Sequence, residues 1–132
     1  MKVVGFDHLV LNVADTDRAL DFYGNTLGLG VLRLEEFKAG DAPFPSVRVS
    51  PEVLVDLVQG PRASEGTNVD HFCLLIEPTD LEGLATDLEV KGVSMGRGPG
   101  RRWGAKGWGL SFYIQDPDGN TIELKCHPAG YD

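Results

Sequence analysis

The chain repeats itself. Asp7-His-Leu-Val-Leu-Asn-Val-Ala-Asp-Thr-Asp17 lies over Asp70-His-Phe-Cys-Leu-Leu-Ile-Glu-Pro-Thr-Asp80 at a constant offset of 70 − 7 = 63. Asp, His, Leu, Thr and Asp coincide, and Val13 meets Ile76. The closing segments match as well, Val55-Asp56-Leu57 over Ile122-Glu123-Leu124. A repeat of this length marks a duplicated supersecondary unit. Each half reads as strand, helix and three strands, a βαβββ module. One module of about 60 residues is too small to bury a good core. The modules should therefore pack together within one chain or exchange between chains.

The elements follow from spacing. Residues 6–13 and 70–77 alternate as strands. Asp15 or Thr16 is expected to cap a helix with Ala19, Leu20, Phe22, Tyr23 and Leu27 at helical spacing, stopped by Gly28. Strands are expected at 31–37, 46–49 and 53–58, with a Gly/Pro loop over 38–45. Residues 60–69 read as a linker between modules 1–60 and 69–132 of a single domain. Thr79 with Glu82 reads as a capping box for a helix to Lys91, closed by Gly92. Residues 93–95 begin a strand. Leu110–Gln115 and Thr121–Cys126 form a hairpin around Asp116-Pro-Asp-Gly-Asn120.

Strand alternation sorts the polar groups. Leu9, Leu11 and Val13, like Phe72, Leu74 and Ile76, form an apolar face suited to a covering helix. His8 and His71 point the other way. Asp56 and Glu123 likewise alternate with apolar neighbours. Each half thus sends one imidazole and one carboxylate away from the helix-covered side, toward a face that sheet twist makes concave. Imidazole with carboxylate suits Zn²⁺, Ni²⁺, Mn²⁺, Co²⁺ or Fe²⁺. Any one of the four taken alone would be an ordinary hydrogen-bonded or surface residue; the repetition is what gives them weight.

Charge and cysteine content narrow the function classes. Twelve basic against 20 acidic side chains leave a net charge of −8, which disfavours nucleic acid as partner. No run approaches the ~20 apolar residues of a membrane helix, and the first residues do not read as a signal peptide. Two cysteines cannot build a disulfide framework, so a cytoplasmic setting is expected. Cys73 shares parity with His71 and Cys126 opposes Glu123, so the two should not bond. Cys73 reads as a small buried hydrophobe and His127 as a surface residue.

The segments His8-Leu-Val-Leu-Asn-Val, Ala19-Leu-Asp-Phe-Tyr-Gly-Asn-Thr-Leu-Gly28, Asp70-His71 and Asp116-Pro-Asp-Gly-Asn-Thr-Ile-Glu-Leu124 resemble the vicinal oxygen chelate superfamily of glyoxalases, extradiol dioxygenases, fosfomycin-resistance enzymes and bleomycin-resistance proteins. The resemblance covers nearly the whole chain and implies an α+β fold. Two βαβββ modules, with curved mixed sheets, would form metal-binding cups, usually in a homodimer. The matching ligand positions are His8, Asp56, His71 and Glu123. Asp56 departs from the longer glutamate or glutamine of glyoxalase I. It would ligate directly, act through water, or stand outside the coordination sphere.

The activity implied is that of a divalent-metal-dependent glyoxalase- or dioxygenase-like enzyme, a lyase, isomerase or dioxygenase. It would chelate a small oxygen-rich substrate to the metal, with Glu123 and Asp56 as the catalytic carboxylates. The alternatives are a drug-sequestering resistance protein of the bleomycin-resistance type and a fosfomycin-type transferase or hydrolase.

Residues 96–109 carry Arg97, Arg101, Arg102, Lys106, Trp103 and Trp108 among six glycines. They read as a flexible flap over an anionic ligand or as a solvated loop packing at an interface. Ser111, Tyr113 and Gln115 share one strand face and would line the cavity, or serve as plain hydrogen-bonded strand residues. Phe44 and Arg48 would form an opposite rim. Arg48, Phe44, Trp103, Trp108, Ser111, Tyr113 and Arg102 are the candidate substrate contacts.

Overall fold

A computed structural model describes residues 1–26, 28–60, 68–115 and 119–129. The expected place of Leu27 in the first helix, linker residues 61–67 and turn residues 116–118 lie outside them. The chain divides into two compact units, His8–Asp70 and Met1–Asp7 with His71–Asp132. Strand β1 (Val3–Val13) contributes to both.

In the unit His8–Asp70, β1 is followed by α1 (Thr16–Leu20), β2 (Gly30–Leu32), α2 (Leu34–Lys38), β3 (Ser46–Ser50) and β4 (Val53–Gln59). The strand order is β2-β3-β4-β1. β4 runs parallel to β1, and β3 antiparallel to both β2 and β4. Asp15 caps α1, its carboxylate accepting from the Arg18 N–H at 3.0 Å. Beyond Leu20 the helix widens into a π-helical segment, Asp21–Thr26. The strand expected over 31–37 is corrected: pairing to β3 stops at Leu32, and Leu34–Lys38 is helical. Arg33, at φ 61°, turns the chain out of the ladder. Leu34 and Phe37 are then three apart on one helix face, a spacing that would put them on opposite faces of a strand.

The second unit repeats the plan. β5 (Val69–Ile76), α3 (Leu81–Val90), β6 (Ser94–Met95), β7 (Gly100–Gly104), β8 (Gly107–Gln115) and β9 (Thr121–Cys126) follow in sequence. The order is β5-β9-β8-β6, with β7 also on β8. β9 is parallel to β5 and antiparallel to β8. The α3 cap is Asp80, not Thr79: its carboxylate accepts from the Gly83 N–H at 3.2 Å. Ile76, Leu81, Phe112, Leu124 and Cys126 form the buried core beneath α3, joined by Leu74 and Leu110. The expected glycine-rich loop is corrected too. Gly100–Gly104 is a strand hairpinned to β8, with Gly104 opposite Gly107 and Arg102 opposite Gly109. Gly109 leaves room across from Arg102, while Trp103 faces Trp108 and Arg101 faces Leu110.

On β1, His8, Val10 and Asn12 are more deeply buried than Leu9, Leu11 and Val13. The face that carries the imidazole is therefore sheltered from solvent. Among the described residues no helix is long and apolar enough to cross a membrane.

Candidate metal centre

Parallel pairing fixes the first histidine–carboxylate pair. Val10 lies opposite Asp56 between β1 and β4. His8, two residues earlier, shares Val10's face, so its imidazole and the Asp56 carboxylate become diagonal neighbours. His8 Nε2 stands 3.9 Å from Asp56 Oδ2, and both side chains are almost wholly buried. Ser46 faces Asp56 across β3–β4, and its hydroxyl donates to Oδ1 at 2.5 Å.

The second unit has the same register. Cys73 lies opposite Glu123 between β5 and β9, and His71 is again two residues earlier. His71 Nε2 is 3.2 Å from Glu123 Oε2. The Ser111 hydroxyl donates to Glu123 Oε1 at 2.6 Å. Here the two halves diverge. Residue 113, not Ser111, faces Glu123 across β8–β9. Aspartate is short and meets the serine directly opposite; glutamate, one methylene longer, reaches a serine two residues along.

Tyr113 takes the place opposite Glu123, its ring edge-on to His71 with centroids 5.1 Å apart. Burial, and secondarily the Glu123 charge, push its phenol well above the ordinary value, while Arg102 pulls the other way. The Arg102 guanidinium lies 4.9 Å from the Tyr113 ring centroid. It donates to the Ser111 carbonyl at 2.5 Å and the Gly98 carbonyl at 3.1 Å.

His8 with Asp56, and His71 with Glu123, Ser111, Tyr113 and Arg102, are thus brought together within their units. The other candidates have different surroundings. Arg48 donates to the carbonyls of Ser50 and Pro51 at the β3–β4 turn. Phe44 lies in the irregular stretch before β3. Trp103 and Trp108 are opposite one another in the β7–β8 ladder, with Arg101 stacked over the exposed Trp108 ring at 4.5 Å. Gln115 binds Ser94 at the sheet edge. Neither cysteine forms a disulfide and both are buried, Cys126 in the core beneath α3. His127 Nδ1 lies 3.1 Å from the Trp108 carbonyl.

Three polar residues escaped the sequence reading. Ser46 is fully buried beside Asp56. Asp7 is fully buried, both carboxylate oxygens accepting from the Ala105 N–H at 3.1 Å. Lys125 is fully buried, with Nζ 3.8 Å from Glu123 Oε1. The signal for Lys125 was its parity with Glu123 on β9.

A family model described as the Glyoxalase/Bleomycin resistance protein/Dioxygenase superfamily matches residues 5–124. The virulence protein STM3117 of Salmonella typhimurium is 30% identical over 124 residues, 94% of this chain and 85% of that protein. Lactoylglutathione lyase GLX1 of Arabidopsis thaliana is 30% identical over 125 residues, 90% of this chain but 43% of the lyase. The fold is also that of a Mn(II)-bound glyoxalase from Novosphingobium aromaticivorans, with TM-score 0.68 and 20% identity. That match covers 95% of this chain and 39% of the other. A duplicated strand–helix–sheet plan, repeated down to the register of its buried histidine–carboxylate pairs, and a family match along nearly the whole length lead to one conclusion: the chain belongs to the Glyoxalase/Bleomycin resistance protein/Dioxygenase superfamily.

Proposed function

We propose that this chain is a divalent-metal-dependent enzyme of the glyoxalase type, a lyase or isomerase acting on a small oxygen-rich substrate. The observation that carries the reading is the duplicated buried pair, His8 with Asp56 and His71 with Glu123, each carboxylate held by a serine hydroxyl. The likeness to a protein named lactoylglutathione lyase supports the reaction class.

The donors fit a divalent ion. Imidazole nitrogen and carboxylate oxygen are borderline-to-hard ligands suited to Zn²⁺, Ni²⁺, Mn²⁺, Co²⁺ and Fe²⁺. In each pair the serine occupies one carboxylate oxygen, and the other oxygen faces the imidazole Nε2. The residues that would ligate such an ion are those the family resemblance gives, His8 with Asp56 in one unit and His71 with Glu123 in the other. When bound, it would act as a Lewis acid toward two neighbouring substrate oxygens. Asp56, shorter than the glutamate of glyoxalase I, moves the proton through Oδ2 while Ser46 fixes Oδ1. Tyr113, neutral and beside His71, orients a substrate oxygen. Arg102 and the Trp108 edge of the β7–β8 hairpin receive the rest of the molecule. The reading includes a homodimer in a reducing cytoplasm, where the two thiols stay reduced.

Metal analysis of protein purified without chelator tests the reading. Stoichiometric divalent metal is expected, and its loss in His71→Ala. Full retention of metal by His71→Ala overturns the ligand assignment. Metal-free wild-type protein whose tryptophan emission is quenched by an aromatic drug favours sequestration over catalysis.

A further inference from the structure

Lys125 is a costly side chain to bury in the unit that holds Glu123. It is fully buried, and lysine is almost never so placed unless paired. Its Nζ stands 3.8 Å from Glu123 Oε1 and donates to the Arg102 carbonyl at 3.3 Å. A niche is built for it. A Cβ at Gly104 would lie 2.5 Å from Lys125 Nζ and closer still to the buried Asp7 carboxylate. Stability alone does not account for this expense, because buried ion pairs are commonly matched or bettered by apolar residues of similar volume. The repeat shows that the strand itself does not need a lysine. Two residues beyond Asp56, at the place matching Lys125, stands Val58.

Three polar neighbours of Glu123 fall on different oxygens. Oε1 receives the Ser111 hydroxyl at 2.6 Å and faces Lys125; Oε2 faces His71 Nε2 at 3.2 Å. We propose that Lys125 and Ser111 are positioning residues that pin Oε1 of Glu123 and so present Oε2 alone as the ligating oxygen. The inference rests on the metal-centre reading above. It gives Glu123 an anchor that Asp56 does not receive from the matching place, where Val58 stands.

The sign of one measurement separates positioning from bare charge. A cation beside the site repels a dication, so charge alone predicts that removing Lys125 tightens metal binding. Positioning predicts the reverse. The test is Mn²⁺ titration of the metal-stripped full chain, with free Mn²⁺ read by electron paramagnetic resonance. Wild type, Lys125→Met, Lys125→Arg and Ser111→Ala are compared, and thermal melting of each metal-free protein serves as the folding control. Lys125→Met is expected to weaken Mn²⁺ binding about 10- to 100-fold, the usual cost of losing an outer-shell partner. Lys125→Arg, which keeps the charge, is expected to recover most of the affinity. Equal or tighter binding by folded Lys125→Met overturns the proposal. Should Lys125→Met fail to fold, Ser111→Ala decides: weaker binding supports the proposal, and unchanged binding overturns it. A wild-type chain that takes up no Mn²⁺ overturns the metal reading and this inference with it. Variants that match a metal-binding wild type overturn the inference alone.

Discussion

At the scale of single residues, two positions turn the burial pattern into measurable energies. Tyr113 holds its phenol above the ordinary value near 10, chiefly because burial disfavours the phenolate and secondarily because Glu123 repels it. The unfolded chain ionises this tyrosine first as pH rises. Its contribution to stability is therefore intact below about pH 10 and is lost progressively above it. Tyr113→Phe is expected to flatten the fall in melting temperature between about pH 9.5 and 11; identical slopes for wild type and variant would refute this. Gly104 owes its identity to a close approach, since any Cβ meets Lys125 and Asp7. Gly104→Ala should cost about 1–3 kcal/mol, the usual range for overpacking. Denaturant melts measure it, and an unchanged midpoint would mean that the niche yields freely. Legibility at this scale was uneven. Asp56, Glu123 and both histidines stood out because they sit at repeat-equivalent places on alternating strands. Lys125 did not, although it shares Glu123's parity, because a lone strand lysine ordinarily faces water.

At the scale of elements, local rules succeeded where the partner of a segment lay next to it in sequence. The β8–β9 hairpin, the α1 start and the end of α3 at Gly92 follow from alternation and capping. Asp15→Ala should cost about 1 kcal/mol by freeing the Arg18 N–H, read as a lower thermal midpoint. Local rules misread two segments. Leu34–Lys38 closely follows the apolar run of β2, but its Leu34 and Phe37 are three apart, as a helix needs, and the short β2–β3 pairing left it to fold back on itself. Glycine-rich 100–104 reads as loop by composition, yet it pairs with β8 because small residues sit across from Arg102 and Ser111. Gly107 closes that hairpin at φ 84°. Gly107→Ala forces a Cβ into the left-handed region and should cost about 1 kcal/mol. It should also loosen Arg101 on Trp108, seen as a shifted tryptophan emission.

At the scale of the whole molecule, metal and fold should be thermodynamically linked. An ion that binds the native donors and not the unfolded chain adds about 2.7 kcal/mol at a free concentration 100 times its Kd. Chelator-stripped protein should thus melt several degrees below the Mn²⁺-loaded form. A melting temperature indifferent to metal would count against the centre. The sequence alone determined the duplicated βαβββ plan, the family resemblance later matched over residues 5–124, and the strand faces that carry His8, Asp56, His71 and Glu123. These depend on period-two alternation between neighbours and on a repeat, both carried by the order of residues alone. Only the tertiary structure decided how each carboxylate is held: Ser46 from directly across the ladder, Ser111 from two residues along, Lys125 drawn under the Arg102 carbonyl into the space Gly104 leaves. Those choices turn on side-chain reach and on which buried atoms meet across the ladder, and the alternation of apolar and polar residues encodes neither.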